Sequence, residues 1–328
     1  MQPDEGRPAE GRPGEGWVGN CAPTLFSGAR ASAYRLDVST VGAVRDAYLA
    51  RLGLEPEPPS IGALFAIHRA HVERVPYETV WIHLGERWTI DAGESTARIA
   101  TNRRGGYCFH LNGALSELLR ALGYNVVRHV GGVHGAGGAT EAEMANHLVL
   151  TVHDLPHELN PGGVWYVDAG LGDALYEPLP LIPGAYDQGP FHLALEHTPG
   201  AIGDWHLTHD PAGGFTGMSW RSAPAQIDAF AERHAWLSTS PDSGFVRLLT
   251  VQRRDATGVD VLRGLSLIRI GDGAHASTLT TNAELTDVLG DLFALDLGKI
   301  GNEARDALWQ RVRETHEAWE ADGRSSPE

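Results

Sequence analysis

Cys108 follows the run Arg103-Arg104-Gly105-Gly106-Tyr107 and opens a stretch in which Leu111, Leu115, Leu118 and Leu122 recur at helical spacing. A Gly pair lets the backbone turn sharply and approach a ligand. A cysteine at a helix start meets free N–H groups and the positive end of the helix dipole. Both stabilise a thiolate and can pull a thiol below its free pKa of about 8.5. The same N–H groups can hold a developing oxyanion. Position alone leaves two readings of Cys108, a nucleophile or a small buried hydrophobe. A nucleophilic thiolate wants a neighbouring imidazole, and the imidazole wants a carboxylate on its other nitrogen. Of the 16 histidines, geometry selects His147, which begins a predicted strand at 147–152; Asp168 ends the next, at 164–168. A hairpin with 147 opposite 168, 149 opposite 166 and 151 opposite 164 puts His147 and Asp168 on one face, about 5 Å apart at Cβ. A slip of one residue would destroy that pairing. Without Cys108 nearby, the same two residues read as a structural histidine and a strand-closing aspartate.

The elements that would position these side chains are legible in outline. Val41, Val44, Tyr48 and Leu52 mark a helix capped by Ser39 or Thr40, with structure beginning near Tyr34. Ser60 caps a second helix through Ile61, Leu64, Phe65, His68 and Val72, and Pro76 lies beyond its end. A short helix is predicted over Ala97–Asn102, and Gly123 stops the helix that Cys108 opens. After Tyr124 the segments become short, β-branched and alternating, at 126–133, 147–152, 164–168, 191–196, 205–209, 245–251, 262–270 and 277–280. Helices near 283–292 and 303–319 close the chain. Helices, then antiparallel β, then a mixed end define an α+β fold.

The 328 residues carry a formal net charge of -16, which makes nucleic acid and anionic membrane poor partners. Any anionic ligand therefore needs a local basic pocket. Only two cysteines are present, Cys21 and Cys108, so no disulfide framework is expected, and a reducing, cytoplasmic setting fits. No run of about 18 apolar residues suggests a membrane span. The Gly-, Pro- and Glu-rich start has no apolar stretch of a secretory signal. Residues 1–33 and 322–328 are expected to be disordered tails. No histidine–cysteine spacing points to a metal. The loop Gly131-Gly132-Val133-His134-Gly135-Ala136-Gly137-Gly138 lacks the Gly-Lys-Ser/Thr of a nucleotide-binding loop.

Three segments carry a resemblance. Arg104-Gly105-Gly106-Tyr107-Cys108-Phe109, Asn146-His147-Leu148 and Tyr166-Val167-Asp168-Ala169-Gly170-Leu171-Gly172 resemble the signature segments of the arylamine N-acetyltransferases. His68-Arg69-Ala70-His71, Val75-Pro76-Tyr77-Glu78, Ser238-Thr239-Ser240-Pro241-Asp242-Ser243-Gly244-Phe245 and Val251-Gln252-Arg253-Arg254 extend it, so that about Tyr34 to Leu295 is covered.

The resemblance implies an N-terminal helical bundle (34–123) holding Cys108, an antiparallel β-barrel (124–236) holding His147 and Asp168, and a C-terminal α/β lid (237–321), around a cysteine-protease-like core. It implies ping-pong transfer of an acetyl or other acyl group from acyl-CoA, through a Cys108 thioester, to an arylamine or hydrazine. It also implies that Arg104 pairs with Glu78 to brace the active-site loop; exposed charges are the alternative. Acyl-CoA is a co-substrate, and no permanently bound cofactor is expected. Candidate contacts to substrate or CoA are Tyr107, Phe109, Gly131, Gly132, Ser238 and Thr239, with core packing the other reading of the two aromatics. The run Arg247, Arg253, Arg254 is either a phosphate contact or a strand edge. Two departures stand out: His110-Leu111-Asn112 replaces Glu-Gln-Asn, and the segment Trp205–Trp220 has no counterpart. The altered segment after Cys108 and the Gly-rich loop at 131–138 keep open an amide synthase with a carrier-protein-bound donor, and a thiol hydrolase or transglutaminase-like enzyme remains a third possibility.

Overall fold

Side-chain caps and glycines mark where the helices begin and end. The chain, seen in a computed structural model, is described over residues 38–298 and 300–321. The expected start near Tyr34 and both tails lie outside the described residues. Helix α1 (Val38–Leu52) begins earlier than the sequence suggests, so Ser39 and Thr40 lie within its first turn rather than at its cap. Helix α2 (Ile61–Arg74) starts where Ser60 Oγ accepts the Ala63 amide at 3.1 Å. A two-residue strand β1 (Tyr77–Glu78) and a single turn α3 (Val80–His83) follow. Helix α4 (Ala92–Asn102) is longer than predicted, because Asp91 caps it by accepting the Glu94 amide at 2.8 Å. Helix α5 (Cys108–Ala121) carries the cysteine on its first residue and stops at Gly123, whose φ of 95° suits glycine.

Eight strands then form one antiparallel sheet: β2 (Asn125–His134), β3 (His147–His153), β4 (Trp165–Val167), β5 (Leu179–Pro180), β6 (Gly184–Gln188), β7 (Phe191–His197), β8 (Trp205–Thr208) and β9 (Gly217–Pro224). Their order is β5-β4-β3-β2-β9-β8-β7-β6. The two edge strands are neighbours in sequence, and Tyr186 Oη of β6 donates to the Pro180 carbonyl of β5 at 3.5 Å, so the sheet nearly closes on itself. Helices α6 (Ala231–Thr239) and α7 (Gly244–Arg247) lead into β10 (Thr250–Arg254), β11 (Gly258–Arg263), β12 (Ser266–Gly271) and β13 (His275–Thr278). These make a second sheet, β1-β10-β11-β12-β13. The fold is α+β.

Two sequence readings are corrected. Residues 245–247 are helix, because Ser243 caps a turn there. The run 262–270 is two strands, reversed at Gly264 with φ 56°. Helix α8 (Asn282–Asp287) continues as a π-helical turn, Val288–Leu292. Helix α9 (Asn302–Ala321) ends the described chain.

Strand β3 is buried on both faces. Leu148, Leu150 and Val152 pack with Leu111, Leu115 and Leu118 of α5, while Val149 joins Tyr166 and Trp220 inside the barrel. One strand thus fastens the barrel to the cysteine helix. At the other end of the loop before α5, Arg104 donates to both oxygens of Glu78, Nε at 3.0 Å and Nη2 at 3.3 Å. Both side chains are buried, and Glu78 also donates its amide to the Gly106 carbonyl at 2.9 Å. A fork–fork pair of this kind fixes direction as well as distance. Removing one partner leaves a buried charge uncompensated, at about 3–5 kcal/mol. Glu86, 3.8 Å from Arg104 Nη1, softens that loss. Glu78→Gln is expected to lower the unfolding free energy by about 3 kcal/mol in urea titrations. A change within experimental error would show that the pair does not hold the loop.

Candidate active site

Cys108 is nearly buried, and its Sγ donates to the Asn146 carbonyl at 3.5 Å. His147, the first residue of β3, directs Nε2 to Asp168 Oδ2 at 2.7 Å. The Cys108 thiol borders the same cavity as this imidazole and favours its charged form. Asp168 uses Nε2, so Nδ1 is the nitrogen left for sulfur. The three residues converge as the spacing suggested, but by a different register. The observed pairs are Leu150 with Val167, Thr151 with Tyr166 and Val152 with Trp165. This is two residues away from the predicted pairing. An even shift keeps every side chain on its face, so His147 still shares a side with Asp168 and reaches it diagonally.

Asp168 is 1% exposed, and a buried carboxylate needs donors. It has four. Tyr166 Oη donates to Oδ2 at 2.9 Å, beside His147. Asn112 Nδ2 and the Gly170 amide donate to Oδ1 at 2.7 and 2.9 Å. Asn112 stands one turn beyond Cys108 on α5. It also donates to the Leu148 carbonyl at 2.6 Å and accepts the Ala169 amide at 3.0 Å. One side chain therefore ties the cysteine helix to β3 and to the turn bearing Asp168. Neither Asn112 nor Tyr166 is among the site residues that the sequence singles out. The i, i+4 spacing of Asn112 from Cys108 and the period-2 placement of Tyr166 before Asp168 are the signals that find them. Gly170 is required by space, since a Cβ there would stand 2.8 Å from Cys108 Cα.

The electrostatics follow from this wiring. Burial disfavours a charged imidazole, but the Asp168 carboxylate and then Cys108 outweigh it, and His147 is raised to about 10. Burial, then Asp168, push the Tyr166 hydroxyl well above its ordinary value, so it stays a donor.

The thiol opens into a cavity of about 270 Å³, bordered by Tyr77, Val133, His147, Leu237, Phe245 and Gln252 among others. The further contacts proposed from sequence fall elsewhere. Tyr107 and Phe109 are fully buried in the helical core, Tyr107 stacked on Trp81 and Phe109 against Phe230. Their side chains leave the cavity because they flank Cys108 on a helix, where neighbours point to other faces. Gly131 and Gly132 belong to β2 rather than to a loop: Gly131 pairs with His147, and a Cβ at Gly132 would stand 2.9 Å from the Glu143 carbonyl. Ser238 and Thr239 turn their hydroxyls back onto α6, to the His234 and Ala235 carbonyls. None of these six lines the cavity. His110 is also remote; it accepts the Tyr107 amide at 3.3 Å beside Trp81 and Trp88. Burial, then Arg98, hold it well below the ordinary imidazole value. Gly214 and Phe215, from the segment without counterpart, do line the cavity.

A family model described as N-acetyltransferase matches residues 60–301. The arylamine N-acetyltransferase of Mycolicibacterium smegmatis is 30% identical over 286 residues, which cover 82% of this chain and 98% of that protein. The solved arylamine N-acetyltransferase of Nocardia farcinica aligns with a TM-score of 0.71 at 30% identity, over 82% of this chain and 95% of that one. The Mycobacterium marinum arylamine N-acetyltransferase in complex with CoA shares the fold, with a TM-score of 0.72 at 24% identity, over 82% and 98%. With three quarters of its length inside the family match and near-complete coverage of these relatives, the chain belongs to the arylamine N-acetyltransferase family.

Proposed function

We propose that this protein transfers an acyl group from acyl-CoA to an arylamine or hydrazine through a thioester on Cys108. The observation that carries the reading is the buried Cys108–His147–Asp168 array, with a 2.7 Å His–Asp hydrogen bond. An imidazole raised to about 10 is protonated at neutral pH, and the proton it holds is the one the thiol gives up. The Cys108 sulfur attacks the thioester carbonyl of the donor, and the helix start it stands on favours the developing oxyanion. The tetrahedral intermediate collapses, the carbon–sulfur bond to CoA breaks, and His147 returns a proton to the departing CoA thiolate. One thioester has replaced another, so this half-reaction is nearly isoenergetic. The amine then attacks the Cys108 thioester while His147 accepts a proton from it. Collapse releases the amide and restores the Cys108 sulfur, and conversion of thioester to amide makes this half downhill. Water is the competing nucleophile. A narrow cavity walled by Tyr77, Leu171, Phe215 and Phe245 disfavours it.

The relative solved with CoA supports acyl-CoA as donor, and the names of the relatives support an arylamine acceptor. No helix among the described residues is long and apolar enough to cross a membrane.

Steady-state kinetics with acetyl-CoA and an arylamine are expected to give parallel double-reciprocal lines, the mark of two separate half-reactions. Intersecting lines would reject the mechanism. Cys108→Ala is expected to remove turnover with the far-ultraviolet circular dichroism unchanged, since a buried sulfur is replaced by a smaller apolar group. Asp168→Asn should lower kcat about 10³-fold or more by misorienting the imidazole; a loss under tenfold would remove Asp168 from the array. The same pair sets a pH dependence. His147 is raised above its ordinary 6.5, so its stabilising contribution is complete below about 6.5 and lost as pH rises through about 10. Thermal unfolding of wild type against Asp168→Asn should show the difference between them shrinking across that window. A constant difference would contradict the assignment.

A further inference from the structure

The catalytic cavity meets a second cavity of about 490 Å³, and the two share Asp173, Gly214, Gln252 and Arg263 as a common neck. Arg263 is the last residue of β11. Other arginines of the C-terminal sheet are neutralised or saturated. Arg253 pairs with Asp260 at 3.1 Å, and Arg269 with Asp255 at 2.7 Å and Asp260 at 3.3 Å. Arg254 is buried against the carbonyls of Ala174, Gln188, Gly189, Asp255 and Gly258, which answers the question of whether it meets a phosphate. The Arg263 side chain makes no hydrogen bond or ion pair among the described residues, while its backbone is paired in the sheet. Asp173 shares the neck but is otherwise engaged: Oδ2 accepts the Gly214 amide at 2.6 Å, and Oδ1 faces His209 Nε2 at 3.5 Å. The space beside the guanidinium is kept open by the absence of a side chain. A Cβ on Gly214 would stand 2.9 Å from Asp173 Oδ2 and 3.0 Å from Arg263 Nη2, so the carboxylate and the guanidinium flank the same gap without an ion pair between them. Across the same cavity Arg233 has no carboxylate partner among the described residues; its Nη2 donates to the Ala142 carbonyl at 3.3 Å.

A guanidinium without a partner, aimed into a cavity of a protein with net charge -16, is an anion receptor in waiting. We infer that Arg263 recognises a carboxylate, or a group of like charge and shape, on one of the two substrates as that substrate reaches Cys108. The anion displaces water from the guanidinium and accepts its paired N–H bonds, and the Asp173-held loop at Gly214 forms the opposite wall. Arg263 is thus a specificity residue, reading charge at the neck while chemistry proceeds at sulfur. The inference deepens the proposed function by naming a charge class for a substrate.

Two reagents of nearly equal size test the receptor without relying on acyl transfer. Iodoacetate is anionic and iodoacetamide neutral, and both alkylate a thiol. The ratio of their rates on Cys108, divided by the same ratio for glutathione, reports the cation at the neck. It is expected to fall about tenfold in Arg263→Gln and to be largely restored in Arg263→Lys. A ratio unmoved by Arg263→Gln overturns the inference. Two further arms identify the source of the anion. With acetyl-CoA, 4-aminobenzoate is compared with its methyl ester; with a neutral arylamine, glutaryl-CoA is compared with pentanoyl-CoA. A preference for the anionic member, expressed in KM and lost in Arg263→Gln, assigns the carboxylate to acceptor or donor. Equal kcat/KM within both pairs overturns the substrate assignment. Acyl transfer absent from every pair, with the alkylation ratio still dependent on Arg263, would sink the proposed function and leave the receptor standing.

Discussion

A carboxylate sealed away from water must be met by donors, and Asp168 is the carboxylate around which this site is built. Its four hydrogen bonds come from three parts of the chain: His147 on β3, Asn112 on α5, and Tyr166 and Gly170 from its own strand and turn. Each donor is a side chain or amide that the fold has to deliver to one point. Satisfying the charge therefore also fixes where α5 lies on β3, and with it where Cys108 lies beside His147. The electrostatic demand of one group and the geometry of the site are the same constraint.

Packing makes that convergence possible. Leu148, Leu150 and Val152 bind β3 to the helical core, while Val149 and Tyr166 bind the same strands into the barrel. Gly170 admits Cys108 to a distance that any side chain would forbid. Arg104 and Glu78 hold the loop that launches α5, and Asn112 holds the helix one turn on. Cys108 is supported on both sides, and the His147 imidazole is held by an anion that cannot turn away.

Much of this was readable in the residues, and the failures have physical reasons. Helices announced by a cap or a stop, such as the one begun by Ser60 and the one ended by Gly123, were legible. The helix capped by Asp91 was clipped because its first turn, Ala-Gly-Glu-Ser, has little apolar pattern. Turn length, not side-chain alternation, sets the register of β3 with β4, so the pairing read from alternation differs from the observed one by two residues. Alternation alone was enough to put His147 and Asp168 on one side. The cavity walls were not legible. Tyr107 and Phe109 adjoin Cys108 in sequence, yet a helix sends neighbours to different faces, and both went to the core. Gly214, Phe215 and Arg263 come from distant segments that only the tertiary fold brings to the sulfur.

The central claim is that the Cys108 sulfur carries the acyl group between donor and acceptor. Peptide mass spectrometry after mixing with acetyl-CoA and no amine tests it most directly. The account predicts an acetyl increment on the Cys108 peptide that persists in buffer and disappears when an arylamine is added. Acetyl found on another residue, or free acetate released at the full catalytic rate with no amine present, would contradict it.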